Sequence, residues 1–280
     1  MLENIVAHIN KGSASKDIQT AIDTAYETGI GTVIIPSGEY ILDKTVEIPE
    51  YTHVIIDGAR LILDENSKDE SVFINSHANK SYGFAPGFIQ QGVSITGKNG
   101  AYIKGKLPVL IRNGKNFLIE DLTIESTNDF AIFVILSLNG KIRNVKFENC
   151  YKGIGFGPTV RDCFINDIHG EVKDSAFDFD NSLRSELGFS APRDFDIMNH
   201  IIRDVDVRTE KTFAHFDGEG RLGKDLSNVV GRIIFTNVNV DNKNGVAFDI
   251  RSATDIVLQN VSSSGKLVND DLTKRQVYIS

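Results

Sequence analysis

The chain has 280 residues, of which 41% are apolar and 24% charged, and a net charge of −8. That composition belongs to a globular protein with a sizeable core, and the acidic balance without any basic block excludes a nucleic-acid surface. The longest unbroken apolar run, Phe130 to Leu136, is far too short to cross a bilayer, and two cysteines, Cys150 and Cys163, form neither a disulfide framework nor a zinc motif.

At the amino terminus, "MLENIVAHIN" lacks the basic start and apolar core of a secretory signal. A soluble chain is expected: a cytoplasmic protein, a virion component or a mature secreted protein. Ser15 is predicted to cap a helix over residues 15–27, with Ile18, Ala21, Ile22 and Ala25 as its apolar stripe. "GTVIIPSGEYIL" then turns at Pro36-Ser37-Gly38 and enters a region, 32–280, without helical periodicity. The aromatic, glycine-rich "KSYGFAPGFIQQG" from Lys80 is a candidate groove wall.

A short pattern recurs from Glu120 onward: a polar residue, Asn or Asp, an apolar residue, then a strand-like tail. Its copies are "EDLTI", "RNVKF", "RDCFI", "RDVDV", "TNVNV" and "QNVSS", separated by 23, 18, 42, 33 and 23 residues. Fixed local pattern with unequal spacing implies stacked coils joined by loops of different length. Asp121, Asn144, Asp162, Asp204, Asn237 and Asn260 are predicted to stack at one turn, because Asn and Asp tolerate left-handed backbone. The expectation is all-β: one parallel β-helix domain over 1–280, its open end covered by the amino-terminal helix.

Five copies lead to a second strand-like run, among them "SAFDFDNS", "FAHFDGE" and "GVAFDIRS". A period of two points Phe177 and Phe179 inward and Asp178 and Asp180 outward. It places Ala214 and Phe216 inside, with Phe213, His215 and Asp217 outside. In the third run Val246, Phe248 and Ile250 go in, and Ala247, Asp249 and Arg251 go out. Asp174 and Glu219 fall at strand ends. Outward positions on such a frame are polar as a rule, so one aspartate needs no special role. A cluster of carboxylates is different, because like charges repel unless a cation or histidine offsets them.

"DIQTAIDTAYETGIGTVIIPSGEYIL" resembles the opening of the pectate-lyase-like β-helix superfamily, and from Leu118 the chain is similar to the polygalacturonases of glycoside hydrolase family 28. "HGEVKDSAFDFDNS" lies where that family carries "GDDCIAIKSG", so Asp174 matches one of its paired aspartates and Ser175 stands at the other. The "NTD" motif falls at Tyr151-Lys152-Gly153, without a carboxylate. His215 matches the histidine of "GHG", flanked by Ala214 and Phe216, and "RIK" becomes Ala247 and Asp249 with Arg251 one step beyond. The resemblance implies a right-handed β-helix acting on a polysaccharide, with catalytic motifs only partly kept.

Glycoside hydrolysis needs a protonated acid and a second carboxylate. Asp174, Asp178, Asp180, His215 and Asp217 are the candidate catalytic residues. Arg251, Asp249, Lys211 and Glu219, with Arg184 and Phe189 from the following loop, are the candidates for holding a poly- or oligosaccharide. A hydrolase of this kind needs no cofactor. A Ca²⁺-dependent lyase is the second enzymatic reading, because clustered aspartates supply hard oxygen ligands. A non-catalytic glycan-binding or tail-spike-like adhesion module, monomeric or trimeric, is the third.

Overall fold

The computed structural model describes residues 4–10, 12–76, 89–180, 197–218, 230–242, 245–251, 253–269 and 277–279. Among them, every strand pairing is parallel, and the strands fall into a long fourteen-stranded sheet and a nine-stranded short sheet running side by side, with a small two-stranded sheet pairing Gln90–Gln91 with Gly114–Lys115. Each later coil contributes one long and one short strand, for example Phe164–Val172 and then Ser175–Asp180. The chain forms a parallel β-helix.

The long strands owe their shape to left-handed residues. Asp121, Asn144, Asp167, Asp204, Asn237 and Asn260 have φ between 49° and 60° and lie in register from coil to coil. Side-chain amides link several of them, with Asn144 donating to Asp121 (2.7 Å), Asn237 to Asp204 (3.0 Å) and Asn260 to Asn237 (2.8 Å). Asp162, expected in this column, belongs to a second one five residues earlier in each coil. There Asn116, Asn139, Asp162 and Asn199 are also left-handed, and Asn199 donates to Asp162 at 3.0 Å. The expected spacing of 18 and 42 residues therefore becomes 23 and 37. The basic coil is 23 residues, and the longer coils contain the spans 181–196 and 219–229.

Between the sheets, buried phenylalanines stack across coils. Phe156, Phe179 and Phe216 lie face to face at 5.0 and 4.9 Å, and Phe235 meets Phe177, Phe213 and Phe248 edge-on. Such pairs add to the free energy of burying their large apolar area. His200 sits among them, stacked 4.9 Å from Phe156. Its Nδ1 accepts the Cys163 N–H, its Nε2 is buried without a partner, and burial pushes its pKa down to about 3. Both cysteines are free and buried, and desolvation raises their thiols to about 11 and about 12.

The covering helix runs Ala14–Glu27, with Ala14, Ser15, Ile18, Ala21, Ile22 and Ala25 buried. Its N-cap is Ser13 rather than Ser15. Ser15 is buried in the first turn and accepts the Lys44 N–H. Asp17 organises the start instead, accepting from the Asn10 N–H and the Ser13 hydroxyl, each at 2.8 Å. Gln19 exchanges hydrogen bonds with the Glu47 backbone (2.8 and 3.0 Å) on the terminal short strand Val46–Ile48. The helix thereby covers core and satisfies an open sheet edge together.

Candidate active site

The outer face of the short sheet carries the predicted cluster, and the registers fix its geometry. Asp178, His215 and Asp249 are direct neighbours in one outward column; Asp180, Asp217 and Arg251 form the next. Neighbours in a column are about 4.8 Å apart along the helix axis.

Asp178 is only 6% exposed. Its Oδ2 lies 3.4 Å from Lys152 Nζ and 3.4 Å from the Ser175 hydroxyl, which donates to it. Its Oδ1 is 3.4 Å from His215 Nδ1, an ion-pair contact not aligned as a hydrogen bond, which leaves that buried oxygen without a hydrogen-bond donor. His215 Nε2 faces Asp249 Oδ2 at 3.9 Å, so the imidazole bridges two carboxylates across three coils. Asp178 foremost, then Asp249 and Asp217, raise the His215 pKa above its ordinary value against the opposing effect of burial. His215 thus keeps its proton to a higher pH than an isolated imidazole does.

Asp249 is gripped by Arg251 through two hydrogen bonds, Nε to Oδ1 at 3.0 Å and Nη2 to Oδ2 at 2.8 Å. Asp174 sits before the strand, its Oδ2 3.3 Å from Lys211 Nζ. Lys211 and Arg251, candidates for holding substrate, are thus both engaged by carboxylates of the chain itself. Asp180 and Asp217 are partly exposed at adjacent positions of the second column. Glu219, Arg184, Phe189 and most of the Lys80 segment lie outside the described residues. Among the described residues, no three His, Cys, Asp or Glu side chains are grouped to hold a metal ion.

Two expectations about direction are corrected. Phe213 is fully buried against Phe177, Phe235 and Phe248, and Ala247 is buried beside it, although both were expected outside. In all three runs the second residue turns inward along with the third (Ala176 and Phe177, Phe213 and Ala214, Ala247 and Phe248). The chain is rounding the coil corner there, so strict alternation begins one residue later.

Sequence reasoning missed a groove beside the acids. It has a volume of about 410 Å³ and is lined by Leu110, Arg112, Asp129, Phe130, Phe133, Ile135, Lys152, Asp178 and Asp180, among others. Phe130 and Phe133 stack at 5.2 Å with ring planes 13° apart, and Lys152 Nζ lies 4.6 Å from the Phe130 ring centre. Gly155 makes room for them: a Cβ there would come within 2.7 Å of Phe133 and 2.8 Å of Phe130. The signal was present in the register, since Leu110, Phe133, Gly155 and Asp178 form one continuous outward column.

The backbone matches solved polysaccharide-handling proteins over most of its length. A family 28 exopolygalacturonase from Yersinia enterocolitica superimposes with a TM-score of 0.63 at 13% identity, covering 97% of this chain and 67% of that one. It is a right-handed parallel β-helix. An iota-carrageenase of family GH82 from A. fortis gives 0.66 at 18% identity, covering 91% of this chain and 55% of that one. The tailspike of E. coli bacteriophage HK620, in complex with a hexasaccharide, gives 0.63 at 12% identity, covering 89% and 47%. The chain thus spans from about two thirds to under half the length of these proteins. No family model and no curated protein sequence matches it. At these identities the likeness is one of fold.

Proposed function

We propose that the protein is a glycoside hydrolase that cleaves a poly- or oligosaccharide lying along the outer face of the short sheet. The observation that supports this most is the in-register pair Asp180 and Asp217, set beside a histidine whose pKa is raised. Hydrolysis requires a proton at the leaving oxygen and a carboxylate for water or direct attack. Asp180 and Asp217 are the carboxylates assigned to contact the substrate. His215 supplies or stores the proton, and Asp178, largely buried, is a positioning residue acting through His215. Asp174 is tied to Lys211 at the strand end and contributes charge there.

The test is product analysis on a glycan panel with wild type, Asp174→Asn, Asp180→Asn and Asp217→Asn. Loss of turnover by about a hundredfold or more in Asp180→Asn or Asp217→Asn is expected for acid–base groups. Cleavage retained by all three variants sinks the assignment. A calcium-dependent unsaturated product identifies a lyase instead. The non-catalytic glycan-binding reading has one observation in its favour: Asp174, Asp178 and Asp249 all rest against cations of the chain. Binding of a glycan without any product decides for it.

A further inference from the structure

We infer that the groove beside the acids is a subsite for an uncharged sugar ring packed on the Phe130–Phe133 pair, so that the substrate is a neutral glycan running along the helix axis. This rests on the glycan-acting reading above and adds the substrate class. Two stacked rings at the floor of a groove, with polar groups at its rim, suit the apolar face and hydroxyl edge of a pyranose.

Charge argues for neutrality. Lys152 sits on Asp178, Lys211 on Asp174 and Arg251 on Asp249; Arg112, at the other end of the groove, is not free either. A carboxylated or sulfated sugar needs cations to pair with, and among the described residues taking Lys152, Lys211 or Arg251 strips a partner from a carboxylate. The groove also presents Asp129, Asp178 and Asp180, which repel a polyanion. The same carboxylates accept hydrogen bonds from sugar hydroxyls. Gly155 is the specificity-determining position, because any side chain there pushes into both rings.

The experiment measures binding by saturation-transfer NMR, with cleavage followed in parallel. The probes are short gluco-, manno-, xylo- and galacto-oligosaccharides, set against oligogalacturonate and sulfated galactan oligomers. The proteins are wild type, Phe133→Ala, Phe133→Leu, Gly155→Ala and Asp217→Asn, each with a melting curve. One uncharged probe is expected to bind wild type, and to bind Phe133→Ala and Gly155→Ala about tenfold more weakly, while Asp217→Asn reports the loss of cleavage separately from the groove. Phe133→Leu keeps apolar volume without the ring and carries the test if the alanine variant melts too early. Unchanged affinity in the groove variants, or tighter binding of the charged probes, overturns the subsite while leaving the hydrolase reading intact as long as wild type cleaves. A wild type that binds and cleaves nothing on the panel overturns both.

Discussion

The outward column of the short sheet changes character halfway along. Its amino-terminal half reads Leu110, Phe133, Gly155; its carboxyl-terminal half reads Asp178, His215, Asp249. The inward column directly behind them does not change in kind: Val109, Ile132, Ile154, Phe177, Ala214 and Phe248 are all apolar and all buried. Each coil buries its apolar side chains against the next, so the core constrains every second residue and leaves the outer one free. A β-helix can therefore place an apolar floor and an acidic cluster side by side without altering the frame beneath.

The strongest way to break that contrast is to remove the shared support. Phe179 is fully buried between Phe156 and Phe216, flanked in sequence by Asp178 and Asp180. Phe179→Ala is expected to cost about 3–5 kcal/mol in denaturant unfolding, and to reduce activity with stability. A loss under about 1 kcal/mol means the ladder does not carry the acidic half.

Next in size is the link between Asp178 and His215. Asp178→Asn removes the largest cause of the raised His215 pKa, so the histidine midpoint followed by NMR falls towards 6.5. The sign has a consequence for stability. A raised folded pKa gives stability that is fully present below pH 6.5 and lost as pH rises through the folded value. Asp178→Asn should flatten that part of the stability profile, and an unshifted midpoint contradicts the pairing.

His200 is the opposite case and sits on the inward side. Burial lowers its pKa to about 3, so below pH 6.5 the unfolded chain takes a proton that the folded chain refuses. Stability should decline as pH falls from about 6.5 towards about 3, and His200→Phe should remove part of that decline. An identical acid profile in the variant places the acid sensitivity elsewhere. Smallest is Arg251→Ala: its pair with Asp249 is more than half exposed on the arginine side, and its loss should change stability by no more than about 1 kcal/mol.

Much of this frame is legible in the sequence, for physical reasons. Asn and Asp at turns, alternating phenylalanines and the Ile18–Ala25 stripe are local demands of backbone and burial. The misplacement of Asp162 arose because two left-handed columns lie five residues apart, so "RDCFI" and "INDIHG" fit the same pattern equally well. Phe213 was misdirected because alternation fails at a coil corner. The groove was hidden for another reason. "FAIFVIL" is apolar throughout, and only the register against Gly155 reveals that Phe133 points outward. Lys152 was likewise unmarked, a lysine at a position where the resemblance led one to look for a carboxylate.

The proposal that the acidic half cleaves a glycan by hydrolysis is tested most directly by digestion in water enriched in heavy oxygen. Wild type and Asp217→Asn would be given a neutral oligosaccharide, and the label read at the reducing ends of the products by mass spectrometry. Hydrolysis at this site predicts labelled reducing ends with wild type and almost none with Asp217→Asn. Unlabelled unsaturated products, or a variant that labels its products as fast as wild type, would contradict it.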